Sequence, residues 1–199
     1  MTLPMTLPKK ILSLSIIATF ILGCSSKSPE YSTVLTKPIK LDEFMLTADD
    51  DSVFSNQSLK DKWSLLFFGY THCPDVCPLT LHQLAQANKE LADKLDSTPD
   101  IIMVSVDPDR DTSEILQKYV RSFGENVSGV TGKNEELDKL TSQLGIFYNA
   151  NKHEGENYSV NHSAAVILIN KNAEFHAVFS APHSIEHFVS DLPLILKES

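Results

Sequence analysis

The sequence predicts an α/β fold with a central mixed sheet and helices on both faces. Three unbroken apolar runs of strand length support this prediction, at residues 63–68, 101–106 and 164–169. Such runs are typical of strands that are buried on both faces of a sheet. Between the first two runs, leucines recur at helical spacing over residues 79–95, which predicts an amphipathic helix.

The later elements complete this pattern. Apolar residues at helical spacing predict three more helices, over residues 115–123, 137–144 and 185–192. Asp111 and Glu114 have the spacing of a capping box at the start of the first of these. Residues 171–172 suit a tight turn into a strand at 174–179, which would form a hairpin with the third buried run. Parallel strands followed by such a hairpin fit a thioredoxin-like architecture.

The N-terminus has the pattern of a targeting signal. Two lysines precede the apolar run 11–22, which is shorter than the about 20 residues that a membrane-spanning helix needs. The run ends in a segment that resembles a bacterial lipobox, so we expect a signal peptide at residues 1–23 and a lipid on Cys24. Residues 24–37 are then the lipidated cysteine and its tether, and residues 38–199 form one domain.

The charge of the chain excludes one class of partner. The sequence has 17 basic and 26 acidic residues, which gives a formal net charge of −9. Such a chain lacks the basic surface that nucleic-acid binding requires. Apolar residues make up 42% of the chain, which is enough to build a core.

Cys73 and Cys77 form a close pair directly after the first buried strand, and Pro78 is suited to the first turn of the next helix. Sites in open α/β folds lie beyond the carboxyl ends of strands. The pair has three interpretations. A structural disulfide would close too small a loop to stabilise much. A redox pair usually has C-x-x-C spacing, which is one residue shorter. A metal site would need further ligands.

Thiolates select copper(I), zinc or iron–sulfur clusters. If Cys24 carries lipid, two cysteines remain, which is too few for an iron–sulfur cluster. Structural zinc usually takes four Cys and His ligands, whereas copper(I) accepts three. We expect the third ligand to be a histidine, and His162 is favoured because it immediately precedes the third buried strand. His72, beside Cys73, and His82, about one helical turn past the pair, are alternatives.

Four segments together resemble the Sco/SenC family, in the family's order: FGYTHCPDVCP, IIMVSVDPDRDT, VTGKNEELDKL and YSVNHSAAVILIN. The resemblance implies a thioredoxin-like copper chaperone for the dinuclear copper centre of cytochrome c oxidase, and a thiol–disulfide role is also attributed to the family. Carried over by position, it implies Cys73, Cys77 and His162 as the copper ligands. Asn161 departs from the family pattern, which usually has aspartate before the ligand histidine.

Carboxylates near these motifs are candidates for supporting roles, because hard oxygens do not suit a soft ion as ligands. Asp107 directly follows the second buried strand, and Asp75 lies between the cysteines. Asn161 is a third supporting candidate, since it can accept a hydrogen bond beside the imidazole. Asp109 and Asp111 are interpreted as residues that cap the following helix.

The sequence is therefore interpreted as a metallochaperone rather than an enzyme, for copper(I) and secondarily for copper(II). We expect it in the bacterial cell envelope, lipid-anchored to a membrane with its domain in the periplasm, where the copper-accepting subunit of an oxidase is its partner. The main alternative is a thiol–disulfide reductase that uses Cys73 and Cys77 as a redox-active pair to keep the oxidase cysteines reduced. A thiol peroxidase is disfavoured, because Thr71 is two residues before Cys73 and peroxidatic sites place threonine three before.

Overall fold

A computed structural model describes residues 27–151 and 158–197 of the chain. This part of the chain forms ten strands, four α-helices and one short 3-10 helix. The strands are β1 (Ser32–Lys40), β2 (Met45–Ala48), β3 (Val53–Ser55), β4 (Ser64–Gly69), β5 (Asp100–Ser105), β6 (Val127–Thr131), β7 (Tyr148–Ala150), β8 (Val160–His162), β9 (Val166–Ile169) and β10 (Glu174–Phe179). The α-helices are α1 (Val76–Leu91), α2 (Ser113–Arg121), α3 (Asn134–Gln143) and α4 (Ile185–Lys197).

Eight of the strands form one mixed sheet, in the order β1-β10-β9-β4-β5-β6-β2-β3. β4, β5 and β6 are parallel, and the other five strands join by antiparallel pairing. All six residues of β4 are buried, which explains why residues 65–68 within it are all apolar. The predicted α/β class with a central mixed sheet is confirmed. β7 and β8 form a separate two-stranded sheet.

The helices pack around this sheet: α1 contacts α4, α2 contacts β6, and α3 contacts β2. The leucine stripe predicted for α1 is buried at Leu81, Leu84 and Leu91. Burying each such side chain contributes about 1.5–3 kcal/mol. α1 begins at Val76, three residues earlier than expected, so Cys77 lies inside its first turn.

The tether prediction is wrong for residues 32–37, which belong to β1. These residues form a strand because of contacts with distant parts of the chain. β1 pairs with β10, and a buried carboxylate of α4 holds its start. Backbone N–H groups of Tyr31 and Ser32 donate to Asp191 Oδ2 over 2.7 and 2.8 Å. The structured domain therefore begins before residue 38.

The predicted signal peptide, residues 1–23, and the predicted lipidation site, Cys24, lie outside the described residues. Among the residues that are described, the helices are too short or too polar to cross a bilayer.

Candidate metal centre

The structure brings Cys73, Cys77 and His162 together. One ligand atom from each residue lies within 4.8 Å of the other two, and the Cys77 Sγ to His162 Nε2 distance is 3.4 Å. Neither cysteine is in a disulfide. Two sulfur donors and one imidazole nitrogen make a soft ligand set, which is the type that copper(I) prefers.

Cys77 is held by the junction of β4 and α1. Its side chain is fully buried, and burial raises the pKa of the Cys77 thiol. The thiol approaches the last residue of β4 so closely that a Cβ placed on Gly69 would lie 2.8 Å from Cys77 Sγ. Only glycine therefore fits at position 69 without displacing the sulfur.

Cys73 lies in the loop between β4 and α1, and Asp111 holds that loop. Thr71 donates from its backbone N–H to Asp111 Oδ2 over 2.9 Å, and from its hydroxyl to Oδ1 over 2.5 Å. Ser105 at the end of β5 also donates to Asp111 Oδ2, over 2.6 Å. The carboxylate is fully buried, so it ties the cysteine loop to the neighbouring strand.

This role corrects the sequence interpretation of Asp111 as a helix cap. The N-cap of α2 is Thr112, whose side chain accepts from the backbone N–H of Ile115. Asp111 is instead turned inward, because the Thr71 and Ser105 donors lie at the same end of the sheet. The sequence feature that could have indicated this role is the position of Asp111 in the acidic run that follows β5, at the same end of the sheet as the cysteines.

His162 ends β8, and two aromatic rings flank it. Phe67 and Tyr70 each meet the imidazole edge-on, with centroids 6.0 Å away. His162 Nδ1 lies 3.2 Å from the carbonyl oxygen of Ser163. Since a carbonyl oxygen can only accept, this contact assigns the proton to Nδ1 and leaves the lone pair of Nε2 directed at Cys77. Burial also lowers the pKa of His162, which favours the neutral ring that a metal requires.

The residues predicted to support the site are not part of this cluster. Asp75 is exposed and occupies the N-cap position of α1, one residue before the helix starts. Asp107 is buried, and it contacts Arg110 and Tyr158 instead of a ligand atom. Asn161 is exposed on β8, opposite Asn149 of β7.

The alternative histidines are outside the cluster. His72 is exposed, and its Nδ1 lies 3.1 Å from the Thr71 hydroxyl. His82 is exposed on α1. Sequence reasoning missed the two flanking rings. Phe67 was interpreted only as a core residue, and Tyr70 only as part of the cysteine motif.

Comparison with known proteins identifies the class of protein that this fold and site define. The SCO1/SenC family model matches residues 34–197. The chain therefore belongs to the SCO1/SenC family, as the four sequence segments indicated.

Two relatives illustrate the range of similarity. A putative copper-binding protein of Stutzerimonas stutzeri is 32% identical over 164 residues, which cover 82% of this chain and 80% of that protein. The human mitochondrial SCO1 homolog is 35% identical over 142 residues, which cover 70% of this chain and 47% of the human protein. The matched part thus spans about half the length of the mitochondrial relatives.

Solved structures give the same fold. ScoI of Arabidopsis thaliana with copper bound has a TM-score of 0.75 at 28% identity, covering 79% of this chain and 98% of that one. ScoI of Bradyrhizobium japonicum with copper bound has a TM-score of 0.66 at 31% identity, covering 78% and 99%. The predicted thioredoxin-like architecture is confirmed by this likeness.

Proposed function

We propose that this protein binds one copper ion through Cys73, Cys77 and His162 and delivers it to the dinuclear copper site of a respiratory cytochrome c oxidase. The observation that carries the proposal is the cluster itself: two soft sulfur donors and one imidazole nitrogen within 4.8 Å of one another, with both sulfurs free. Family members solved with copper bound support the choice of ion. Delivery to an oxidase rests on the family resemblance.

The chemistry of delivery is ligand exchange. Two thiolates alone can hold copper(I), so the imidazole can leave without release of the ion, and a partner's thiol can take its place. A disulfide offers no thiolates, so the redox state of Cys73 and Cys77 gates metal loading.

A titration of the reduced and the oxidised protein with copper(I) tests the site. The reduced form should take up one ion and the oxidised form essentially none, because only free thiols can become copper ligands. Equal binding by the two forms would rule out a site made of Cys73 and Cys77.

The second candidate function is a thiol–disulfide reductase, favoured by the proximity of the two free sulfurs. Burial raises the pKa of the Cys77 thiol, so Cys73 would be the attacking sulfur in such an exchange and Cys77 the resolving one. The variant His162→Ala separates the two functions. A copper carrier should lose its sulfur-to-copper(II) charge-transfer absorbance, while a reductase should keep most of its turnover because exchange needs no imidazole.

The matched control is His72→Ala, which removes the exposed histidine beside Cys73. It should leave the copper(II) spectrum unchanged, since His72 lies outside the donor cluster. An intact spectrum in His162→Ala would remove that residue from the ligand set. Retained disulfide reduction in His162→Ala, together with an unchanged copper(II) spectrum, would favour the reductase.

We further propose that the protein is anchored in the bacterial envelope by a lipid on Cys24, with its domain in the periplasm. A SCO1/SenC family lipoprotein of Bacillus anthracis, 27% identical with a TM-score of 0.68, supports the lipid anchor. Cys24→Ser should shift the protein out of the membrane fraction, because two acyl chains are needed for stable anchoring. Unchanged membrane fractionation of the variant would count against the anchor.

A further inference from the structure

His162 is carried by a part of the chain that lies outside the main sheet. β7 and β8 have three residues each, and in the described part of the chain their only strand pairing is with each other. We refer to β7, β8 and Tyr158 together as the histidine arm. A two-stranded ribbon is at best marginally stable alone. The position of the imidazole must therefore depend on contacts that fasten the arm to the body of the domain.

Two tyrosines of the arm donate hydrogen bonds to carboxylates of the domain body. Tyr148 of β7 donates to Asp138 Oδ1 of α3 over 2.7 Å at an exposed position. The buried contact is at Tyr158, two residues before β8. Its hydroxyl donates to Asp107 Oδ1 over 2.5 Å, and the guanidinium carbon of Arg110 lies 3.6 Å from the centre of its ring. Arg110 Nε donates to Asp107 Oδ2 over 2.5 Å. Tyr158 is 9% and Asp107 is 2% exposed, so the hydrogen bond to the carboxylate is shielded from water. Hydrogen bonds to charged groups are about twice as strong as neutral ones.

Tyr70 connects Arg110 and the start of β8 to the imidazole of His162. The Tyr70 hydroxyl is hydrogen-bonded to the backbone of Val160, the first residue of β8. The Tyr70 ring meets the His162 ring edge-on, and the guanidinium of Arg110 lies 5.7 Å from the Tyr70 centroid. Arg110 is thus within reach of Tyr158 in the arm and of Tyr70 beside it.

We infer that the hydrogen bond from Tyr158 to Asp107, covered by Arg110, is a latch that positions His162 against Cys77; this rests on the proposed copper site. With the latch closed, Nε2 is 3.4 Å from Cys77 Sγ. With the latch open, the arm loses its buried anchor, and the imidazole is the donor that withdraws. Tyr158, Asp107 and Arg110 are positioning residues, since none is part of the donor cluster.

The variant Tyr158→Phe tests the latch in the full-length protein, because it removes one hydroxyl and keeps the ring under Arg110. Its copper(II) affinity should fall about 10-fold, as is typical when a residue that orients a ligand is lost. Copper(I) should bind nearly as well as to the wild type, since two thiolates suffice. In the metal-free protein, amide exchange at Asn161 and His162 should accelerate about 10-fold.

The matched control is Tyr31→Phe, which removes a hydroxyl from a tyrosine stacked on His187 of α4, away from the arm. It should change neither copper affinity nor exchange in β8. Identical behaviour of the two variants would overturn the latch. So would an equal loss of copper(I) and copper(II) binding with reduced far-UV circular dichroism, which indicates general destabilisation.

A double-mutant cycle adds a readout that a purely structural role would not give. Combining Tyr158→Phe with Asp107→Ala should weaken copper(II) binding no more than Asp107→Ala alone, because the alanine variant has already lost the acceptor of the Tyr158 hydroxyl. Additive losses would contradict the latch. If Tyr158→Phe fails to fold, the same exchange and spectral measurements are made on Asp107→Ala, which removes the acceptor of this hydrogen bond. A wild-type protein that binds no copper would refute the proposed function. The amide exchange of the metal-free protein at Asn161 and His162 would still test the latch.

Discussion

Adding one methyl group at Gly69 should move a metal ligand by a calculable distance. In Gly69→Ala, the new Cβ would lie 2.8 Å from Cys77 Sγ and 3.0 Å from Phe67 Cε1, whereas ordinary contact begins at 3.4 Å. The sulfur must therefore retreat by about 0.6 Å, which exceeds the roughly 0.5 Å within which a functional constellation must be held. Overpacking of this kind costs about 2 kcal/mol of folding free energy.

Two measurements check this prediction. Thermal unfolding should show a midpoint lowered by roughly 4–8 °C, and the sulfur-to-copper(II) absorbance should shift or weaken. The control is Gly145→Ala, where φ is +66° and no atom lies within 4 Å of the added Cβ. That substitution costs a similar 1–2 kcal/mol or so through backbone strain, but it does not touch the site. A normal copper(II) spectrum in Gly69→Ala would refute the reasoning.

Two further predictions concern buried carboxylates. Asp111→Asn should lower the free energy of unfolding by about 1–3 kcal/mol in a denaturant titration, since its amide group would face donors from Thr71 and Ser105. It should also weaken copper(I) binding, because Cys73 lies in the loop that Asp111 holds. Asp191→Ala should cost a similar 2–3 kcal/mol or so by releasing the start of β1, yet leave copper titrations unchanged; weakened copper binding there would contradict the separation of the two regions.

The parts of the fold that the sequence predicted are those whose signal is local. β4, β5 and β9 are buried on both faces, so each required a run of apolar residues and was found within a residue or two. α1 required a leucine stripe for the same reason. The proximity of Cys73, Cys77 and His162 was predictable because the two cysteines follow β4 and the histidine precedes β9, two strands that are neighbours in the sheet.

The parts that escaped prediction depend on distant partners. β1 is mostly exposed and includes Pro38, so its composition is that of a linker; its strand conformation comes from pairing with β10 and from Asp191, about 160 residues away. β6 is interrupted by Ser128 and Gly129 and has no continuous apolar run. Tyr158 carries no local sign that its hydroxyl reaches Asp107, because that contact exists only once the arm has folded over the end of β5.

The three proposed ligands are anchored in different ways, and these differences suit the proposed role of a carrier. Cys77 is fixed by the core, between β4 and the first turn of α1. Cys73 lies in a loop held by one buried carboxylate, Asp111. His162 lies on an arm outside the main sheet, which is fastened through hydrogen bonds of Tyr158 and Tyr148. A storage site would fix all three donors equally. A site that must give up its ion needs one donor that leaves first, and copper(I) remains bound to two sulfurs when that donor is the imidazole.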